Sequence, residues 1–335
     1  MRKIMTVILS IVLVVSLAGC SLDSLGDYKR AVEKTDQIKK GRTSGEFLVT
    51  MNFNTEGMTE EQIKELNYFK DIKGSFDVSY DGENDGGKEK GIFRNYLNFG
   101  GLGFDFDLFL DGERVFMKLP VIGKYVRLDE LQAPMQQQVD TEVELVSAAT
   151  IAALNENWLG MLNKEDIFQG KNIVLTTPDG EVKTTEYTIK LTDGQIKSLA
   201  AYGLDVLSKD EKLRANYEEY IKKNVNHLKD TSVEKLLTDM KDNIKDYTVE
   251  DFSYTAYVDI DGYIVNEMLR ISLKVDSDEP ATAEGIDYRL DIKNWDINRE
   301  QSFEFPVLTE DNTLDVEQMD ENMPFIIEDT LKNKE

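Results

Sequence analysis

One cysteine, Cys20, and one histidine, His227, are all that this chain of 335 residues has of the two commonest soft-metal ligands. Disulfides, CxxC pairs and Cys/His zinc sites are therefore excluded, and the fold must be held by its core. The chain is long enough to bury one. His227 lies in KKNVNHLKD, at the polar end of a helical stretch, and reads as solvent-facing. No GxSxG elbow accompanies it, and Walker, GxGxxG and HExxH patterns are missing too. Cationic side chains are also short, 39 Lys and Arg against 64 Asp and Glu, for a formal net charge of −25. Such a surface repels phosphate backbones, which excludes nucleic acid as a partner. It also holds the domain off an anionic bilayer. Solubility explains that charge, and a cationic partner is the sharper reading. The six prolines make no Pro-rich linker, and 41% hydrophobic with 31% charged residues describes a folded chain.

The position of the cysteine is informative. Arg2 and Lys3 precede an apolar run, Ile4 to Leu17, which falls short of the roughly 20 residues that span a bilayer. Charge, a short apolar run and small residues are the anatomy of an export signal. Leu17-Ala18-Gly19-Cys20 resembles the bacterial lipobox. That resemblance implies a signal peptide over 1–19 and acylation of Cys20, with palmitate-type chains anchoring the mature protein. Each buried methylene contributes about 0.8 kcal/mol, and two chains hold where one is marginal. The expected location is the extracytoplasmic face of the cell membrane. Lys, Asn, Ile and Asp-rich composition points to a low-GC monoderm bacterium.

Residues 20–42 read as a lipidated tether entering a helix, with Tyr28, Val32 and Thr35 or Ile38 as its stripe and Gly41 as its stop. The period then changes to two. Phe47, Val49, Met51 and Phe53 alternate with polar residues, as do Ile72, Phe76, Val78 and Tyr80. Phe104, Phe106, Leu108 and Leu110 face away from Asp105 and Asp107, and Val115, Met117 and Leu119 repeat the pattern. Such alternation means sheets buried on one face, mainly antiparallel. Asp-Gly in YDGENDGG, LDGER, PDGE and DIDGY marks hairpin turns. Residues 58–69 read as a short helix. Residues 129–164 form a helical block along Val139, Val143, Val146, Thr150, Leu154, Trp158 and Leu162, broken near Asn155 or Gly160. A hairpin over 171–191 follows. Next comes a helix capped by Thr192 or Asp193, with Ile196, Leu199, Ala200, Gly203, Leu204 and Leu207 on one face. Thr231 and Glu234 have capping-box spacing before a further helix. Residues 249–305 return to strand, FEFPVL included. The acidic segment 309–335 reads as loosely attached, with a docking helix over 323–331.

Two strand blocks thus flank the helices. The expected fold is α+β: a strongly curved, mainly antiparallel sheet, or half-barrel, with helices packed on its concave face. One domain over 43–308 is expected, with two smaller domains divided near residue 166 as the alternative.

Chemistry finds little footing. Asp81, Glu83, Asp85 and Gly86 match four positions of an EF-hand loop, but Ile92 stands where a bidentate glutamate is required. Paired carboxylates suit glycoside hydrolysis, yet 64 acids make close pairs by chance. No catalytic residue, metal site or cofactor is assigned. What remains is the apolar interior, where Phe47, Met51, Phe53, Phe76, Phe104, Phe106 and Met117 are candidate ligand-binding residues. Polarizable side chains of this kind conform to irregular apolar ligands.

Lipobox, N-terminal helix, alternating strands with a DGERVFMKL hairpin and amphipathic helices against a sheet together resemble the LolA/LppX/LprG-like superfamily of exported lipoprotein carriers. The resemblance spans roughly residues 25–306 at the level of layout, so no binding residue carries over. It implies a half-barrel closed by helices and a lipid or acyl-chain ligand bound without catalysis. The expectation is therefore a membrane-anchored extracytoplasmic lipoprotein with a hydrophobic ligand. The alternative is an envelope lipoprotein with a filled core, whose acidic surface meets a membrane or envelope protein. The 58–69 helix and the helical middle are the segments that would fill the cavity.

Overall fold

A computed structural model describes residues 23–82, 89–119, 123–128, 146–215, 232–275 and 283–314. Cys20 with its leader, His227, Thr231, residues 83–88 of the EF-hand-like loop, Val139, Val143 and the 323–331 helix lie outside the described residues.

Local chemistry sets the helix starts. Helix α1, Ser24–Thr35, begins at Asp23, whose carboxylate accepts from the Gly26 amide. It ends at Asp36, and Gly41 already belongs to strand β1, Lys40–Phe53, so the helix stops well before the expected glycine. Helix α2, Glu60–Lys70, opens with a capping box between Thr59 and Gln62. Helix α3, Ala148–Met161, is capped by Ser147 and runs unbroken through Asn155 and Gly160. A second capping box, Thr192 with Gln195, starts α4, Asp193–Ser208. Helix α5, Val233–Asp242, is capped by the Ser232 hydroxyl on the Lys235 amide, one residue past the expected Thr231. Either hydroxyl type suits an N-cap, so only the geometry decides between neighbours.

After β1 the strands are β2 Asp71–Asp81, β3 Lys90–Phe99, β4 Leu102–Asp111, β5 Arg114–Lys118 and β6 Tyr125–Arg127. Following α3 come β7 Ile167–Thr177 and β8 Gly180–Ile189, then after α5 β9 Tyr247–Asp259, β10 Ile264–Val275, β11 Ala283–Trp295 and β12 Thr313–Leu314. They form one twelve-stranded sheet, ordered β12-β6-β5-β4-β3-β2-β1-β11-β10-β9-β8-β7. Two antiparallel meanders, β1 to β6 and β7 to β11, meet where β1 pairs antiparallel with β11, from Arg42↔Trp295 to Phe53↔Ala283. Only β12 runs parallel to its neighbour, β6. The sheet is open, with helices against one face, as expected. Hairpin glycines Gly112 and Gly262 have φ of 65° and 86°, the left-handed values that favour glycine in the turn.

The core gathers under the helices at one end of this sheet. Tyr28 and Ala31 of α1 pack with Leu162, Ile167, Tyr187, Ile189, Ala256, Val258 and Ile264, all at most 8% exposed. α1 lies on β7 and β10, α4 on β9, and α3 against α4. Helix α2 sits by β1, β2 and β3 with no residue buried, so it fills no interior.

A second cluster lies on the opposite face, which the alternation had marked as wet. Ile92, Phe109 and Phe116 are buried there beneath Phe303, Phe305 and Leu308. FEFPVL is therefore not a strand. It is an extended segment crossing the sheet, with Phe303 and Phe305 stacked at 5.8 Å. Pro306, lacking an N–H, could not donate to a ladder in any case. Strand β3 was not foreseen, because Ile92 points to the covered outer face and Asn95 interrupts the apolar one. The chain remains attached past residue 308: Tyr125 donates its amide to the Asn312 carbonyl at 2.8 Å, and β12 follows.

One carboxylate braces the helical layer. Asp210, 4% exposed, accepts from the Ser147 amide at 2.9 Å, the Ser147 hydroxyl at 2.7 Å and the Leu213 amide at 2.8 Å. It thereby joins the start of α3 to the chain after α4. Burial acts to raise its pKa, but the hydrogen bonds outweigh that and hold it far below the ordinary aspartate range. A depressed carboxylate contributes stability above its unfolded pKa and loses it as pH falls through the folded value. Asp210→Ala is expected to cost about 2 kcal/mol at neutral pH, read as a lower Tm in thermal unfolding. The gap to the unsubstituted protein should narrow in strong acid.

Candidate functional site

Register shows which side chains share the helix-bearing face. One row across the sheet reads Ala256, Glu267, Ile292, Gly45, Phe76, Asn95, Phe106. The adjacent row reads Tyr254, Leu269, Leu290, Phe47, Gly74, Leu97, Phe104. Met51 and Phe53 follow Phe47 at even spacing along β1, and Met117 pairs with Leu108 of β4. All seven sequence-predicted residues thus project from one face of one sheet, and each is half-buried. Helix-covered residues at the β7 to β10 end are packed solid, whereas this β11 to β5 stretch keeps partial exposure.

Two glycines shape its floor. Phe47 lies directly opposite Gly74, and Phe76 directly opposite Gly45. A Cβ on either glycine would fall inside the facing ring. Both phenyl rings therefore lie down across the neighbouring strand instead of standing off the sheet. Side chains normally rise roughly perpendicular to a sheet, so this reciprocal pair lowers the floor at the centre of the apolar face. Sequence reasoning missed Gly45 and Gly74, although an isolated glycine in a strand pattern is a signal of close approach. It also missed Leu269, Leu290 and Ile292, which arrive from strands far away in the chain.

At the boundary between the packed and half-buried parts stands a polar relay. Trp158 Nε1 donates to Tyr28 Oη at 3.1 Å, Tyr28 is hydrogen-bonded to Tyr254, and Tyr254 Oη donates to Glu267 Oε1. Each hydroxyl has a single proton, so the direction runs from indole to carboxylate. Burial pushes Tyr28 up to about 12 and Tyr254 well above the usual phenol range. No cation pairs with Glu267 among the described residues. Loss of hydration pushes its carboxyl up despite the Tyr254 bond, and nearby Asp36 adds to the rise. The two phenols hold their protons tightly at neutral pH, which suits a structural relay more than acid–base turnover.

Among the described residues no group of three or more His, Cys, Asp or Glu is placed to hold a metal, and no helix is long and apolar enough to cross a membrane. Of the EF-hand-like positions, Asp81 ends β2 and Ile92 belongs to the outer apolar cluster.

The arrangement keeps the layout of the LolA/LppX/LprG-like resemblance: an open antiparallel sheet with one apolar face and helices against it. No family model matches the chain, and no curated protein matches it. Among solved structures it is similar to a DUF1329 family protein from Desulfovibrio piger, with 10% identity over 81% of this chain and 91% of that one, at a TM-score of 0.19. It is also similar to a domain from Vibrio parahaemolyticus described as an outer membrane lipoprotein-sorting protein, with 9% identity over 84% and 94% of the two chains, at a TM-score of 0.21. Superpositions this loose carry no weight for ligand or partner. The fold rests on the chain's own strand order.

Glu267 offers a direct test of the relay. A carboxyl with a raised folded pKa contributes most below the ordinary glutamate range, and its contribution is lost as pH rises through the raised value. Glu267→Gln keeps an acceptor for Tyr254 without the charge. It is expected to raise Tm by about 3 °C at neutral pH and to leave Tm unchanged in acid, as measured by calorimetry across the pH range.

Proposed function

We propose that this chain is a membrane-tethered extracytoplasmic lipoprotein that binds a lipid or acyl chain on the apolar face of β11, β1, β2, β3, β4 and β5, without covalent chemistry. The observation that carries the reading is the reciprocal Phe47–Gly74 and Phe76–Gly45 pair. It sets a flattened aromatic floor inside a half-buried field of Met51, Phe104, Phe106, Leu290 and Ile292. Half-exposed apolar neighbours around rings laid flat leave surface that a ligand can cover. Seating about ten methylenes gives roughly 8 kcal/mol of gross transfer energy, enough to offset much of the cost of association.

The anchor belongs to the same proposal and rests on the Leu17-Ala18-Gly19-Cys20 pattern behind its basic and apolar leader. An acyl tether would place the binding face near its ligand source while the net charge of −25 keeps the domain off anionic headgroups. Cys20→Ser is expected to abolish incorporation of labelled palmitate and to move the protein from the membrane fraction to the supernatant.

Native mass spectrometry tests the ligand. The chain from Ser21 onward, purified from a lipid-containing host, is expected to carry discrete mass additions that vanish on delipidation and return with added lipid. Phe106→Asp places a charge in the apolar field and is expected to weaken lipid uptake at least about tenfold. A single unliganded mass, unchanged by lipid challenge, would sink the proposal and favour a protein partner at the acidic surface.

A further inference from the structure

The opposite face of the same sheet holds a shallow groove of about 510 Å³ over β10, β11, β1, β2 and β3. Register places Arg270 directly opposite Arg289, Arg289 opposite Leu48, and Leu48 opposite Lys73. Three cations thus stand in one row across four strands, with Met268, Leu48 and Tyr96 supplying apolar lining and Ser75 a hydroxyl, while the carboxylates of Glu46 and Asp291 also line the groove. Like charges directly opposite each other on a sheet are destabilising. Carboxylates are close enough to have relieved this: Asp287, Asp291, Glu46 and Asp71 lie two residues along the same strands. Three of them take neutral donors instead. Ser272 donates to Asp287 at 2.5 Å, Asn266 to Asp291 at 2.6 Å and Thr50 to Asp71 at 3.0 Å. No ion pair within 4.0 Å forms to Arg270, Arg289 or Lys73 among the described residues, in a chain with 64 acids.

We infer that this groove is an oxyanion site, in which the Arg270 and Arg289 guanidiniums clasp one phosphate group and Lys73 supplies a further charge. Neighbouring strands lie about 4.8 Å apart, so two forks on facing positions can share one tetrahedral anion. Arginine suits this role because its planar fork matches phosphate oxygens in pairs. The ligand class is a phosphate-bearing anion, either a free phosphate compound or the phosphodiester of a lipid headgroup. The site is separate from the proposed acyl face, with the thickness of the sheet between them, and does not depend on it. The negative charge in and around the groove makes such a site selective: an anion is admitted only where the three cations outweigh Glu46, Asp291 and the wider field.

Calorimetric titration of the full chain in dodecyl maltoside micelles tests this with two probes, inorganic phosphate and glycerophosphoglycerol, against sodium chloride at matched ionic strength. Saturable binding of either probe supports the site. Phosphate alone marks a free phosphate compound as the ligand; glycerophosphoglycerol marks a lipid headgroup. Arg289→Gln is expected to weaken binding about tenfold or more, while Arg114→Gln, on a distant cation, leaves it unchanged. In the absence of anion, Arg289→Gln should also raise Tm, since it removes the facing charge, and that result shows that the variant folds. No binding of either probe, a heat equalled by chloride, or equal loss in Arg114→Gln would overturn the inference.

Discussion

Everything in this fold depends on the ladder between β1 and β11. These strands lie near opposite ends of the described chain, yet they pair residue for residue from Arg42↔Trp295 to Asn52↔Gly285 before a single register shift. Without that ladder the two meanders would be separate sheets, each with a bare edge open to aggregation. With it, the apolar sides of both become one face. Side chains on a strand alternate with period two, so a slip of one residue would turn Phe47 toward the outer groove and Leu48 toward the helices. The candidate ligand face and the cationic row are two sides of one register.

The helical layer shows a division of labour along that face. Over β7 to β10, α1 and α3 close a dense core around Tyr28, Ile189 and Ile264, each at most 2% exposed. Two polar groupings there are satisfied in chains, through Trp158, Tyr28, Tyr254 and Glu267 and through Asp210 with Ser147 and Leu213, while Gln169 Oε1 on β7 is buried without a hydrogen-bond partner. Pairing of this kind offsets the cost of taking polar groups out of water. Beyond β11 the face is equally apolar but less covered, and its centre is flattened by two glycines.

The outer face is more than the wet side of a half-buried sheet. Its β3, β4 and β5 end is covered by Phe303, Phe305 and Leu308. Its middle carries the row Arg270, Arg289 and Lys73 between carboxylates that bond to neutral partners. Net charge alone had suggested a uniformly acidic surface. Charge averaged over a chain describes long-range repulsion, whereas a ligand meets the few groups that register sets side by side.

Much of this architecture is legible in the amino acids themselves, because the relevant physics is local. Alternation in Phe47–Phe53 and Phe104–Leu110, Asp-Gly turns at 111–112 and 261–262, and the Thr192 cap each depend on neighbours within a few residues. Period two groups the candidate apolar residues within each strand, and the register between strands brings all seven to one face. Two blocks of strands around a helical middle suggested a single sheet, without showing which edges meet. What only the tertiary structure decided depends on groups brought together from distant segments. The laying down of Phe47 and Phe76 needs Gly74 and Gly45 opposite them. The burial of Ile92 needs a segment two hundred residues later. The facing of Arg270 and Arg289 needs one particular register of β10 on β11. Local propensity sets what each strand can do, but the free energy that selects a register comes from the whole face it buries, and no single strand contains that information.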